Sequence, residues 1–337
     1  MKDFEGKKMR VGVRRALLPG RDAVYHVIAR TAGQAMLFGA EEKEMFCAQM
    51  RAVALFCGVE VLTFCVMDNH VHLLVSVPGE KPVIEDAELL RRCDALYGGK
   101  ERSAHALDME TIRAALASGG AEREEIRNLL IGRMCDLSMF AKLLKQRYSI
   151  WYNRTHGRHG TLWSGRFKSV LVEGTGLPVG VVAAYIDLNP VRAGIVRDPA
   201  EYRWCGYSEA MAGVKAAVSG VCRICGEEKA ASAVAQYRLL LYGRGVSAGF
   251  GKPDGGRVSP EILEAVEKRF GHPGIFEQLR ARVRYMTAGA VLGTGRFVEG
   301  WFRENEDRFR KRQSGARRLR GGEWGDLRSF RDLQKPG

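Results

Sequence analysis

Residues 59–78, VEVLTFCVMDNHVHLLVSVP, constrain the fold more than any other stretch. Two runs rich in β-branched and aromatic residues, 59–67 and 70–77, are separated only by Asp68 and Asn69, the spacing of a β-hairpin. On the flanks, AVYHVIAR (23–30) has the content of a strand. EEKEMFCAQMRAVALFCG (41–58) carries apolar residues at helical spacing and ends on glycine. Strand, helix, strand, strand predicts a sheet with helices packed on it.

The second run also places two of the chain's seven histidines, His70 and His72, one residue apart. Side chains alternate along a strand, so both imidazoles face one side while Val71 faces the other. Composition limits what that spot serves. The chain has 337 residues, 46% hydrophobic, enough for one large domain or two ordinary ones. A net charge of +14 and a pI of about 9.6 point to a polyanionic partner, nucleic acid or an anionic membrane surface. The sequence has no run of 18 or more apolar residues, and its first residues lack the apolar core of a signal peptide. The expectation is a cytoplasmic, nucleoid-associated protein with no membrane contact. Its eight cysteines lie mostly within apolar stretches and read as reduced thiols. CRIC (222–225) has the spacing of half a zinc ribbon, but no second CxxC completes four ligands.

Along the chain, the first twenty residues form a basic arm with Lys7, Lys8, Arg10, Arg14 and Arg15. Residues 79–134 are polar and broken by glycine, and read as an insertion or lid with short helical patterns. An amphipathic helix is predicted over 137–154, with Lys142, Lys145 and Arg147 on its outer face. A glycine-rich basic loop then runs into a strand before residue 174. A further helix begins near Pro178 and should end at Asn189, because a proline follows. Past about residue 215 the character changes to a linker, short helices and a basic, aromatic-containing end (308–330) with a cluster at Arg310–Arg320; residues 259–305 could contain a helix-turn-helix. The expected division is therefore 1–215 and a helical, basic region over 216–337 that is a candidate for DNA binding.

Two histidines on a strand can be satisfied by backbone, or can bind a divalent ion if a third ligand comes from elsewhere. AAYIDLNPVRAG (183–194) offers one: Tyr185 and Asn189 are four residues apart on one helical face, and Asn189 brings a carbonyl oxygen that magnesium or manganese accepts. The alternative is a core aromatic followed by a capping asparagine. In the glycine-rich loop, Arg158, Arg166 and Lys168 flank Trp163 and Phe167, a mixture suited to phosphate contact and base stacking in single-stranded DNA, or else a solvated loop packing two aromatics inward.

Together VMDNHVHLLV, RHGTLWSGRFKSVLVE and YIDLNPVRAGIV, in this order, resemble the single-tyrosine HUH transposases of the insertion-sequence 200/605 type, particularly the REP-associated tyrosine transposases. The resemblance covers about residues 10–210. It implies an α+β, ferredoxin-like or RRM-like fold: a mainly antiparallel sheet, the HUH strand near its centre and a tyrosine-bearing helix beside it. It implies His70 and His72 as metal ligands and Tyr185 as nucleophile. A polar residue one turn later, often glutamine in the founding transposases and Asn189 here, would complete a Mg or Mn site. Arg158, Arg166, Lys168 and Arg192 are then expected to bind nucleic acid. The activity implied is cleavage and rejoining of single-stranded or hairpin DNA through a 5′-phosphotyrosine, by a monomer or a homodimer. Two rivals stand beside it: a catalytically retired hairpin-binding protein of the same fold, and a metal-dependent hydrolase in which HxH activates water. The lack of a nearby HxE-type acid counts against the hydrolase.

Overall fold

The structure, a computed structural model, describes residues 15–98, 108–242, 260–270, 279, 285–306, 316–319 and 324–330. Lys7, Lys8, Arg10 and Arg14 of the expected arm, and Arg310, Lys311, Arg312 and Arg320 of the expected tail cluster, lie outside these residues.

The predicted core is present. β1 (Ala23–Arg30) is followed by α1 (Ala40–Cys57) and by the hairpin β2 (Glu60–Val66) and β3 (His70–Val77). Helix α1 stops at Gly58, whose left-handed backbone (φ 62°) lets its N–H reach the carbonyls of Ala54 and Leu55. The expected insertion is a set of helices, α2 (Asp86–Tyr97), α3 (Met109–Ser118) and α4 (Gly120–Ile131), of which α2 packs on α1. Helix α5 (Leu137–Thr155) also lies on α1, and β4 (Lys168–Val172) joins the free side of β1.

Helix α6 (Gly176–Asp187) has no polar face: every residue from Pro178 to Asp187 is buried, as expected of a helix that is apolar all round. It breaks at Leu188 and resumes as α7 (Asn189–Arg192). Pro190 has no N–H to give the Ile186 carbonyl four residues back, and the Asn189 side-chain amide donates to that oxygen instead, at 3.1 Å.

Beyond it come α8 (Gly206–Met211), α9 (Lys215–Cys225), α10 (Ala230–Tyr242), α11 (Pro260–Phe270), α12 (Tyr285–Ala288), β5 (Val291–Thr294), α13 (Gly295–Glu304), β6 (Arg317–Arg318) and β7 (Leu327–Phe330). The stretch read as a linker after residue 215 is thus α9 and α10, packed helices. Gly220 sits where α9 crosses β2 so closely that a Cβ would lie 2.1 Å from the Leu62 carbonyl oxygen.

The described strands form one seven-stranded sheet in the order β2-β3-β1-β4-β5-β7-β6, antiparallel throughout except for β4 with β5. This is the expected α+β architecture. β3 is an interior strand, but it stands one place from the β2 edge rather than mid-sheet. Helices cover both faces. Tyr25, Val27, Val71 and Leu73 face a core shared with α1 and α5, whereas Val24, Leu74, Val170 and Val172 face α6, α9 and α10. The expected division at 215/216 is crossed by this sheet, because β5 pairs directly with β4. Among the described residues no helix is long and apolar enough to cross a membrane.

Candidate active site

Directly paired strand residues share a face of the sheet. The register aligns Cys65, His72, Ile28 and Lys168 in one row across β2, β3, β1 and β4. It sets Arg30 opposite His70 in the next row. Leu74 and Val170 of the same parity belong to the α6 side, so both histidines face α6, as their spacing predicts. Their ring centroids are 5.0 Å apart.

The proton arrangement of these rings follows from their partners. His26 is fully buried on β1, and its Nδ1 lies 2.7 Å from the Met286 carbonyl oxygen. A carbonyl only accepts, so His26 Nδ1 carries the hydrogen. Burial pushes the His26 pKa down to about 3, which keeps the ring neutral and leaves a lone pair on Nε2. That Nε2 is 2.8 Å from His72 Nδ1, which therefore donates to it. The lone pair of His72 is then on Nε2. Burial first, and then the closeness of the other ionisable groups His26, His70, Arg192 and Arg30, hold His72 well below the usual histidine range, so it too is neutral. His70 also carries a hydrogen on Nδ1, by another route. The Asn69 amide is oriented by donation from Nδ2 to the Gln34 carbonyl, and its Oδ1 accepts from His70 Nδ1 at 2.6 Å.

Helix α6 brings Tyr185 onto this face. The ring centroid is 6.0 Å from both His26 and His72, edge-on to each. Asp187 at the end of the helix fixes this placement. It is fully buried, accepts hydrogen bonds from Thr63 of β2 and Tyr237 of α10, and burial raises its pKa to about 6. The Arg192 guanidinium lies 3.8 Å over the Tyr185 ring and donates to the Tyr185 carbonyl at 2.9 Å and to Asn189 Oδ1 at 2.7 Å. Tyr185 is 3% exposed and Asn189 6%.

A metal-binding imidazole has a hydrogen bond behind the ring that fixes the ligating nitrogen, and both His70 and His72 have one on Nδ1. Asn189 is placed differently. Its Nδ2 caps α6 and its Oδ1 is taken by Arg192, so it performs the capping role weighed as the alternative reading of this residue. Among the described residues no group of three or more His, Cys, Asp or Glu is arranged to hold a metal; His26 is spent on both nitrogens.

The remaining expected DNA contacts divide. Lys168 is exposed, in the row of His72 and two strands away, roughly 10 Å at normal strand spacing. Arg166 is exposed in the loop just before β4, next to Phe167, on whose ring Arg15 stacks at 3.6 Å. Arg158 stands elsewhere, over the ring of Tyr152 in the α1–α5 core. Trp163 is buried there too, its Nε1 donating to the Lys145 carbonyl. Sequence reasoning missed Arg30 and His26. The signal was the parity of AVYHVIAR, which sets His26, Ile28 and Arg30 on one face of β1.

No match was found among curated proteins. A solved structure of a REP-associated tyrosine transposase bound to a REP hairpin is similar at a TM-score of 0.37 and 13% identity, over 59% of this chain and 84% of that one. Residues 21–92, from just before β1 through both histidines of β3 into α2, match the transposase family described as IS200-like, so the resemblance read from the sequence holds over the stretch that carries the histidine pair.

Proposed function

We propose that the protein is a metal-dependent single-strand DNA transposase that cleaves and rejoins DNA at repeated hairpin-forming sequences through a 5′-phosphotyrosine. One observation carries the reading: the Tyr185 ring stands 6.0 Å from His72, and His72 and its neighbour His70 share one face of the sheet with Nδ1 of each ring committed to a hydrogen bond. The hairpin target rests on the family resemblance.

Tyr185 Oη would attack the scissile phosphorus, forming the Oη–P bond and expelling the 3′ oxygen. The product is a 5′-phosphotyrosyl enzyme and a free 3′-hydroxyl, and the reverse step rejoins an incoming 3′ end. His70 and His72 would hold a Mg or Mn ion, which when bound polarises the phosphate oxygens and spreads their developing charge. Arg30, Lys168 and Arg192 surround the tyrosine and histidines and supply the cations that bind the strand's phosphates, with Arg166 at the rim. Arg192 has a second part in this scheme. A phosphate is a stronger partner for a guanidinium than an amide oxygen, so strand binding draws Arg192 away and releases Asn189 Oδ1 to act as third ligand.

The experiment is incubation of labelled single-stranded hairpin DNA with wild-type protein and with Tyr185→Phe. Wild type should give a denaturation-resistant adduct with the 5′ end of the downstream fragment. Tyr185→Phe should give none while still binding the DNA. Release of free 5′-phosphate without an adduct would make the protein a hydrolase. The near-complete burial of Tyr185 favours one other reading, a retired hairpin binder, for which neither product would form.

A further inference from the structure

His26 lies outside the expected ligand pair and outside the nucleophile's helix, yet both its nitrogens are committed, one to His72 and one to a backbone carbonyl of the chain's far end. We propose that His26 is a positioning residue that sets the tautomer of His72, with the Met286 carbonyl as its anchor, so that the C-terminal part of the chain completes the histidine site.

If His72 carried its hydrogen on Nε2, that nitrogen could not ligate an ion. Nothing intrinsic to a neutral imidazole excludes that form, so a neighbour must. The neighbour is His26 Nε2, 2.8 Å from His72 Nδ1, and it accepts only because its own hydrogen is held on Nδ1 by Met286 O at 2.7 Å. Three rigid placements make the chain of bonds: β1 carries His26, β3 carries His72 in antiparallel register with it, and α12 brings Met286 against β1 and β4. At His70, the neighbouring Asn69 takes the Nδ1 hydrogen locally. The two ligands of the proposed site are thus held by different means, one by its chain neighbour and one by a relay ending 260 residues after His26.

The consequence for an ion rests on the proposed function; the consequence for the tautomer does not. The test uses full-length, histidine-15N-labelled protein without metal or DNA, in which long-range proton–nitrogen correlation separates the two tautomers. Wild type should show His72 with hydrogen on Nδ1. His26→Phe keeps a ring but removes both nitrogens, and should show His72 in mixed or Nε2–H form. His26→Gln, whose amide oxygen reaches the place of Nε2, should restore Nδ1–H. An Nε2–H wild-type His72, or an unchanged His72 in a folded His26→Phe, would overturn the proposal; if His26→Phe does not fold, failure of His26→Gln to retain Nδ1–H would overturn it. Manganese titration of the same proteins should show affinity about 10- to 100-fold weaker for His26→Phe, the range for loss of an outer-shell partner, and largely recovered for His26→Gln. Absence of manganese binding by wild type, with the tautomer results as expected, would refute the metal reading and leave the relay in place.

Discussion

Asn189 occupies a position where one side chain must satisfy two neighbours at once. Its amide nitrogen replaces the donor that Pro190 lacks, and its oxygen anchors Arg192 over the Tyr185 ring. Asn189→Ala should therefore destabilise the protein by about 1–3 kcal/mol, the cost of leaving buried partners unpaired. Thermal or urea unfolding would measure it, and a change under about 0.5 kcal/mol would contradict the capping role. The histidines make the opposite prediction. His70→Ala and His72→Ala should fold yet fail to cleave single-stranded DNA, and EDTA should silence the wild type in the same assay. Normal cutting by both variants, or indifference to EDTA, would dismiss the HUH reading. These residues were legible in the sequence because their spacing fixes a common face and their phrase is rare. What could not be read was the hydrogen-bond state of each ring, which depends on Met286 and Gln34, residues far from the motif.

At the level of elements, the rows of the sheet do what the motif alone cannot. β1 lies between β3 and β4, so Arg30 and Lys168 come to flank the histidines although they stand 138 positions apart in the sequence. Each should contribute about one counterion to strand binding. Arg30→Ala and Lys168→Ala should each weaken single-strand affinity and flatten the slope of log affinity against log salt by roughly one unit. A salt titration with unchanged slope would place the strand elsewhere. β1, β2, β3, α1 and α5 were readable because each is long enough to show a period and ends in a recognisable break. β5, β6 and β7 were not: strands of two to four residues carry no period, and they are strands only because β4 offers an edge. In α9, the reason for Gly220 is the strand beneath it, which the sequence does not display.

For the whole molecule, the sheet joins what the sequence divides. β7 pairs with β5, and the Ala290 N–H donates to the Phe330 carbonyl, so the end of the described chain is built into the sheet beside the site. Truncation after Asn305 should therefore cost stability before it costs charge. It should lower the melting temperature by at least about 4 °C, the shift that roughly 2 kcal/mol produces in a mid-sized domain. An unchanged melting temperature with weaker DNA binding would return the tail to the purely electrostatic role first expected of it. To separate the two, Arg317 and Arg318, exposed on the short outer strand β6, can be changed to serine without removing the pairing of β5 with β7.

The bond from His26 to Met286 also sets a clock. A ribosome adds about 5–20 residues per second, so the 260 residues separating donor from acceptor take about 13–50 seconds to make. Over the last 101 of those residues, about 5–20 seconds, the nascent chain already carries both histidines and Tyr185, but His26 has no acceptor for its hydrogen and β4 no neighbour on its outer side. The protein emerges with its chemistry written and unassembled, and only a chain that already includes Met286 can close the arrangement around His72.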